Sequence, residues 1–324
     1  MTELIRRLVR DRRLATAEYE QLLRSRTPAV RRELRRLADQ ARRSHYGTTV
    51  YIRGVMEISS ICQNDCLYCR QRRSNTDYPR YRLRPREIID FCEEGYGLEL
   101  RSFLLRGGED PFYNDDILEF LIQRLKKRFP GCAVTLALGE RSRSSYERLY
   151  DAGADRYLLR HEAADRRLYE SLHPRQMSWD NRMHCLNDLK EIGYQAGCGF
   201  IVGLPGQTTG SLARELTYIQ EFQPHMVDVG PFVPQPGTPF ASQPPGDPQL
   251  TDDLISIIRI LCPGALITAP GEPESLVLAG ANVVCWPLYP ANPSGEALAA
   301  IRRRLEDIGF EGSTERGDCV TINA

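Results

Sequence analysis

Three cysteines stand within eight residues, Cys62-Gln-Asn-Asp-Cys66-Leu-Tyr-Cys69, directly after the strand-like run Val50 to Ser59. Thiolates are soft ligands suited to iron–sulfur clusters and zinc, and this spacing lets one short loop wrap a single metal centre. The count of three is informative. A structural zinc site normally closes with four protein ligands, whereas a cubane cluster held by three cysteines leaves one iron free to bind something else. Three unrelated thiols in a turn is the bland alternative, and so tight a cluster with an aromatic residue before the third cysteine argues against it.

Four more stretches hold residue types that recognise a small polar ligand. In Arg106-Gly107-Gly108-Glu109-Asp110-Pro111 the paired glycines let backbone approach a ligand and the carboxylates can receive an ammonium group, although Gly-Gly-Glu-Asp is also an ordinary turn. Leu138-Gly139-Glu140 is of the same kind. Arg160-His161-Glu162, with Arg182 beyond it, sets a cation beside a carboxylate, which suits ribose hydroxyls and a ligand carboxylate as well as it suits a surface ion pair. Gly203-Leu204-Pro205-Gly206-Gln207 reads as a rigid turn that brings backbone near a ligand.

What unites these stretches is their place between elements. From residue 50 onward, strand-like runs near 50–59, 101–106, 132–138, 155–160, 195–202, 225–231, 264–268 and 282–286 alternate with amphipathic segments. The latter fall near 84–97, 114–129, 142–152, 179–192, 209–222, 251–261 and 272–280, with Gly153, Gly193 and Gly280 where C-caps belong. Eight such repeats predict an α/β protein of the (β/α)8 TIM-barrel type over residues 49–324. Residues 1–48 are expected to form an N-terminal helical extension: Leu4, Ile5, Leu8 and Leu14, then Leu22, Leu23, Val30, Leu34 and Leu37 recur at helical spacing, and Thr27-Pro28 is an N-cap followed by proline at the first helical position. In such a barrel, residues at the C-terminal strand ends carry the chemistry, and the cysteine loop and all four further stretches lie there. The proline-rich segment Phe232 to Gln249 reads as a long β-to-α connection at that same end, a lid or a spacer.

Composition narrows the field. Lysine plus arginine and aspartate plus glutamate balance at 43 each, so no overall field draws the chain to nucleic acid or membrane. The many arginines of the first helices are read as the solvated face of helices packed on the barrel. No apolar run approaches membrane-spanning length, the first residues lack the apolar core of a signal peptide, and ten cysteines in such a chain speak for reduced thiols and a cytoplasmic setting. Six of them (Cys92, Cys132, Cys185, Cys198, Cys262, Cys285) are expected to be packing thiols, with Cys198 and Cys285 on strands that could face the lumen. His161 is expected to orient Glu162, and Tyr289 to reach the cavity.

The Cys-x3-Cys-x2-Cys loop after a first strand, with Tyr68 before its last cysteine, resembles the radical S-adenosylmethionine (SAM) superfamily. Within it the chain resembles the HydE-like group of [FeFe]-hydrogenase maturases, on a scaffold shared with methylornithine-synthase-like and biotin-synthase-like enzymes. The resemblance runs through Tyr51-Ile-Arg, Leu67-Tyr-Cys, Gly108-Glu-Asp-Pro, Val134 to Glu140, Ala152 to Glu162, Val202-Gly-Leu-Pro-Gly-Gln-Thr and Val229-Gly-Pro-Phe. It implies that Cys62, Cys66 and Cys69 hold a [4Fe–4S] cluster and that Tyr68 lies against the SAM adenine. It further implies that Gly107, Gly108 and Glu109 receive the methionyl amino group. Glu162 and Arg182 would clamp the ribose and carboxylate region, with Arg160 and Glu140 beside them. Gly203, Pro205 and Gly206 would flank the adenine. The implied partners are a small-molecule substrate, a low-potential donor such as ferredoxin or flavodoxin, and other cofactor-maturation proteins. Which chain residue takes part in the radical step is left unassigned.

The chain departs from the group in three places. Arg70 follows the last cysteine where a small residue is usual, Arg106 stands where glutamine is expected, and Leu266 to Glu274 is shorter than its counterpart and lacks the Thr-Thr-rich pattern. HydE-like maturation and a related enzyme with another small substrate are therefore the two enzyme readings. An iron–sulfur or zinc protein without catalysis is the third.

Overall fold

The computed structural model describes residues 1–290 and 294–319. Three helices open the chain: α1 (Thr2–Asp11), α2 (Thr16–Arg24) and α3 (Pro28–Tyr46). Eight strands then follow, β1 (Thr49–Ser59), β2 (Ser102–Gly107), β3 (Ala133–Ala137), β4 (Arg156–Leu158), β5 (Gln195–Val202), β6 (Met226–Pro231), β7 (Leu266–Thr268) and β8 (Val283–Tyr289), with a short β9 (Glu311–Ser313) added beside β1. The pairing is parallel throughout, in the order β7-β6-β5-β4-β3-β2-β1-β8. Between β7 and β8 a single residue replaces the ladder: Asn282 N donates to Ile267 O at 3.1 Å, and its side-chain oxygen accepts from Ile267 N at 2.8 Å. This is the expected barrel, nearly closed. The last five residues of the expected barrel, 320–324, lie outside the described residues.

Local chemistry explains the helices that matter for the site. Ser178 caps Trp179–Ile192 through Asn181 N, which fixes the first turn that carries Arg182. Thr208 caps Thr209–Phe222, the helix of Glu215, through Ser211 N. The helix after the proline-rich connection begins at Pro248 with Asp247 as its cap, one turn before the expected start at Thr251. Helices Arg166–Leu172 and Gly295–Glu306, and β9, are elements the periodicity did not mark. The first is too short for a helical repeat to stand out.

α1 to α3 are not a free appendage, because Leu4, Ile5, Leu8, Leu22, Leu34 and Ala38 belong to the same apolar core as the barrel helices. Their arginines are partly consumed there. Asp253, almost wholly buried, pairs with Arg26 at 3.0 Å and Arg31 at 3.1 Å, and Asp252 pairs with Arg35 at 2.8 Å.

The floor of the barrel is shut. The fully buried Arg156 guanidinium reaches Ser102 Oγ at 3.2 Å and Asp318 at 2.8 Å, tying the segment 316–319 across the N-terminal strand ends. The lumen therefore opens at the C-terminal ends, where the loops with chemical residues are. There the proline-rich connection reaches back to the cysteine loop, with Asn75 Nδ2 donating to Pro236 O at 3.1 Å.

Candidate active site

The cysteine loop leaves β1 at Ser59. Its path is fixed by polar contacts: Ser59 Oγ donates to Asp110 Oδ2 at 2.6 Å, and Arg82 grips the same carboxylate with two bonds of 2.6 and 2.7 Å. Gln63 N donates to Glu109 O at 3.0 Å. A side chain on Gly108 would collide with Ile61 O and with Cys62, so this glycine lets the β2 turn sit directly against the loop. The paired glycines thus bring backbone to the cysteine loop, where the sequence suggested an approach to a ligand.

Cys62, Cys66 and Cys69 are half-buried free thiols. Burial raises all three pKa values, that of Cys69 to about 11, and Cys62 raises those of Cys66 and Cys69 further. Among the described residues no three His, Cys, Asp or Glu converge tightly enough to hold a single ion. By ligand number, three thiolates suit a cubane, in which each cysteine binds a different iron, better than a structural zinc site, which takes four protein ligands.

Behind the loop a cavity of about 550 Å³ occupies the barrel mouth, a volume suited to a nucleoside-sized ligand. Tyr68, Cys69, Gly107, Arg160, Glu162 and Arg182 all line it. A smaller cavity of about 230 Å³ adjoins it under the proline-rich connection and shares Tyr68, Cys69, Arg70, Arg160 and Gln235. Glu162 is held in an uncommon backbone conformation, φ 62°, pinned where its N donates to Gly199 O at 3.0 Å. Its Oε2 lies 3.3 Å from Arg160 Nη2 without forming a hydrogen bond, and both atoms, with Arg160 Nε, are buried and unsatisfied. Buried, ion-paired atoms whose hydrogen-bonding capacity is unused inside a roomy cavity are what a polar ligand would satisfy. Burial works against the Arg160 charge, but Glu162 and Asp228 more than offset it and hold its pKa up.

The remaining expected residues divide differently. Arg182 does not pair with Glu162: its Nε donates to Glu140 Oε1 at 2.6 Å and its Nη1 to the carbonyl of Arg160. Glu140 and Glu109 face an outer groove of about 600 Å³ with Gln63, Asn181 and Met177, and Glu109 Oε1 accepts from Glu140 N at 3.1 Å. Gly203, Pro205 and Gly206 do not line the cavity, whereas Ile201 just before them does. A Cβ on Gly203, at φ 88°, would meet Gly246 of the proline-rich connection.

Three expectations are corrected. His161 orients no part of the Glu162 side chain, since its Nε2 meets Glu215 Oε2 at 2.7 Å and its Nδ1 accepts from Gly199 N at 3.3 Å. Cys198 and Cys285 part company: strand alternation turns Cys198 into the fully buried helix side, and only Cys285 faces the cavity. Tyr289 packs on Tyr81 and Phe91 with ring centroids 5.3 and 5.2 Å away and does not line the cavity.

His173, Glu57 and Asp228 were not foreseen as site residues. His173 Nε2 lies 2.8 Å from the Tyr68 hydroxyl, and its Nδ1 lies 2.8 Å from Tyr169 O. A carbonyl only accepts, so Nδ1 carries the proton and the Tyr68 hydroxyl donates to Nε2. This bond, with the His173 ring stacked on Tyr169 at 3.9 Å, fixes the tyrosine that forms one wall. His173 follows a helix whose brevity hid it from periodicity.

A parallel barrel with a three-thiol loop over its open end defines a class, and comparison places the chain in it. Residues 56–218 match the Radical SAM superfamily model, and the chain belongs to that superfamily. It is 42% identical over 257 residues to the [FeFe] hydrogenase maturase subunit HydE of Thermotoga maritima, spanning 77% of this chain and 73% of that protein. It is 29% identical over 279 residues to the 3-methylornithine synthase of Methanosarcina acetivorans, spanning 84% of this chain and 78% of the other. The crystal structure of methylornithine synthase (PylB) superposes with a TM-score of 0.85 at 25% identity, covering 96% of this chain and 97% of that one. The chain is thus a radical SAM enzyme of the group that contains HydE, and this family uses a [4Fe–4S] cluster and SAM. No helix among the described residues is long and apolar enough to cross a membrane.

Proposed function

We propose that the chain cleaves SAM at a cluster held by Cys62, Cys66 and Cys69 and directs the resulting radical at a small molecule in the adjoining cavity, in HydE-like maturation of a hydrogenase cofactor. Held by Cys62, Cys66 and Cys69, the cluster would supply the electron that reductive cleavage of the SAM C5′–S bond requires. The observation that carries this reading is that Cys69, Tyr68 and Glu162 line one cavity.

The chain's residues divide the work. Glu162 and Arg160, with unsatisfied buried polar atoms, hold ribose and carboxylate groups of SAM. Arg182 completes that wall, with Glu140 holding Arg182 from the outer side and touching SAM only through it. Tyr68, aimed by His173, flanks the adenine. Gly107, Gly108 and Glu109 set the β2 turn beside the loop, where the amino group of methionine is received. Gly203, Pro205 and Gly206, just after Ile201, back the adenine side. The closed floor at Arg156 and the proline-rich connection above keep water from the radical. A ferredoxin or flavodoxin is the proposed reductant, other maturation proteins are the proposed partners, and an oxygen-poor cytoplasm is the proposed setting.

A second reading, a HydE-related enzyme with another small substrate, is favoured by one observation: Arg70 and Arg106, both departures from the group, line the cavity. A hydrogenase maturation system in which this protein replaces HydE separates the two. Active hydrogenase supports maturation. An inactive hydrogenase together with SAM cleavage supports the relative.

A further inference from the structure

Two arginines meet one carboxylate on the cavity wall. Glu57, on β1, is 4% exposed, and its Oε1 accepts from Tyr81 at 2.8 Å and from Tyr78 at 3.4 Å. Its Oε2 accepts from Arg70 Nη2 at 3.0 Å. Arg106 Nη2 comes only to 3.8 Å of the same oxygen and donates no hydrogen bond among the described residues. The carboxylate is therefore occupied before Arg106 reaches it. Both guanidinium-bearing side chains stay open to the cavity, at 42% and 51% exposure for Arg70 and Arg106.

Elsewhere on the lining the balance runs the other way. Arg160 stands between Glu162 at 3.3 Å and Asp228 at 3.2 Å, while Arg182 is matched by Glu140. Among the charged side chains that line the cavity, positive charge in excess lies at Arg70 and Arg106, beside Cys69. Guanidinium groups present parallel N–H donors that suit a planar two-oxygen anion, and a partly dehydrated cavity strengthens such contacts.

We propose that Arg70 and Arg106, spaced by Glu57, form a subsite for a carboxylate on the substrate. Glu57 holds Arg70 in place and leaves Arg106 free to close on the ligand. The proposal rests on the cavity being the substrate chamber and deepens that reading by naming the substrate class: small carboxylic acids, amino acids included.

Crystals of the anaerobically reconstituted, SAM-bound protein soaked in bromide test this, because bromide locates itself by anomalous scattering. The expected result is a bromide peak between the guanidinium groups of Arg70 and Arg106, displaced by propionate and not by equal propionamide. In solution, calorimetric binding of propionate to the same holoenzyme is expected to weaken at least tenfold in Arg106→Gln, whose iron content shows whether its cluster loop is intact. Bromide elsewhere in the cavity or absent from it, equal displacement by propionamide, or unchanged propionate affinity in the variant overturns the subsite. Formation of 5′-deoxyadenosine by the wild-type preparation is scored separately, so loss of the subsite and loss of the radical reading are distinct results.

Discussion

His161 Nε2 and Glu215 Oε2 lie 2.7 Å apart with both side chains fully buried. The pair joins the end of β4 to helix Thr209–Phe222, and Glu215 Oε1 also accepts from Ala164 N at 2.9 Å. Glu162 sits between those two anchored positions, so the pair sets the backbone that presents the cavity carboxylate.

Glu215→Ala strands the imidazole N–H and the Ala164 amide without partners in the interior. Unsatisfied buried donors cost about 1–3 kcal/mol each, so a loss of about 3 kcal/mol is expected in denaturant unfolding of the anaerobic protein. SAM affinity is expected to fall more than tenfold, read by equilibrium dialysis, because Glu162 loses its support. Unchanged affinity in a folded variant would show that Glu162 is held by other means.

His173 gives a pH signature. Burial lowers its pKa to about 4, against an ordinary value of about 6.5. Below about pH 6.5 the unfolded chain takes up a proton that the folded chain refuses. Stability is therefore full above that pH, falls as pH drops, and has lost on the order of 3 kcal/mol by about pH 4. The difference between wild-type and His173→Gln unfolding curves across pH 4–6.5 isolates this slope. A flat difference contradicts a buried neutral His173 and with it the donor role of the Tyr68 hydroxyl.

Much of this was legible beforehand, and the limits have physical causes. Helices Trp179–Ile192 and Thr209–Phe222 and strand Gln195–Val202 coincide with the expected ranges, because their caps and apolar spacing are local properties. Motif chemistry marks side-chain types, and Tyr68, Cys69, Gly107, Arg160, Glu162 and Arg182, named from it, line the cavity. Pairings were not legible. Arg182 finds Glu140, and His161 finds Glu215 54 positions away, because partners across the barrel depend on side-chain direction, which spacing does not encode. Arg70 and Arg106 stood out only as odd residue types until the fold brought both to Glu57.

The Arg182–Glu140 pair makes a third prediction. Both groups are largely buried, with side-chain exposures of 7% and 15%. Glu140→Ala leaves a buried cation unpaired, at a cost of about 3–5 kcal/mol. The milder Glu140→Gln, which keeps a hydrogen-bond acceptor, is expected to fold and to raise the KM for SAM severalfold with a smaller change in kcat. A larger loss in kcat than in SAM affinity would place Glu140 in the chemistry itself.

The central claim is that the three-thiol loop and the cavity beside it form one radical-generating site. Its most direct measurement is 5′-deoxyadenosine formed from SAM by the anaerobically reconstituted, dithionite-reduced protein, alongside the Cys66→Ser variant, with iron and sulfide counted on the same samples. The expected result is about four irons and four sulfides per wild-type chain, as a [4Fe–4S] cubane requires, with 5′-deoxyadenosine accumulating and the variant losing at least a hundredfold. A fully loaded wild-type protein that forms no 5′-deoxyadenosine with small carboxylic acids and amino acids present, or one tightly held zinc without sulfide, would contradict it.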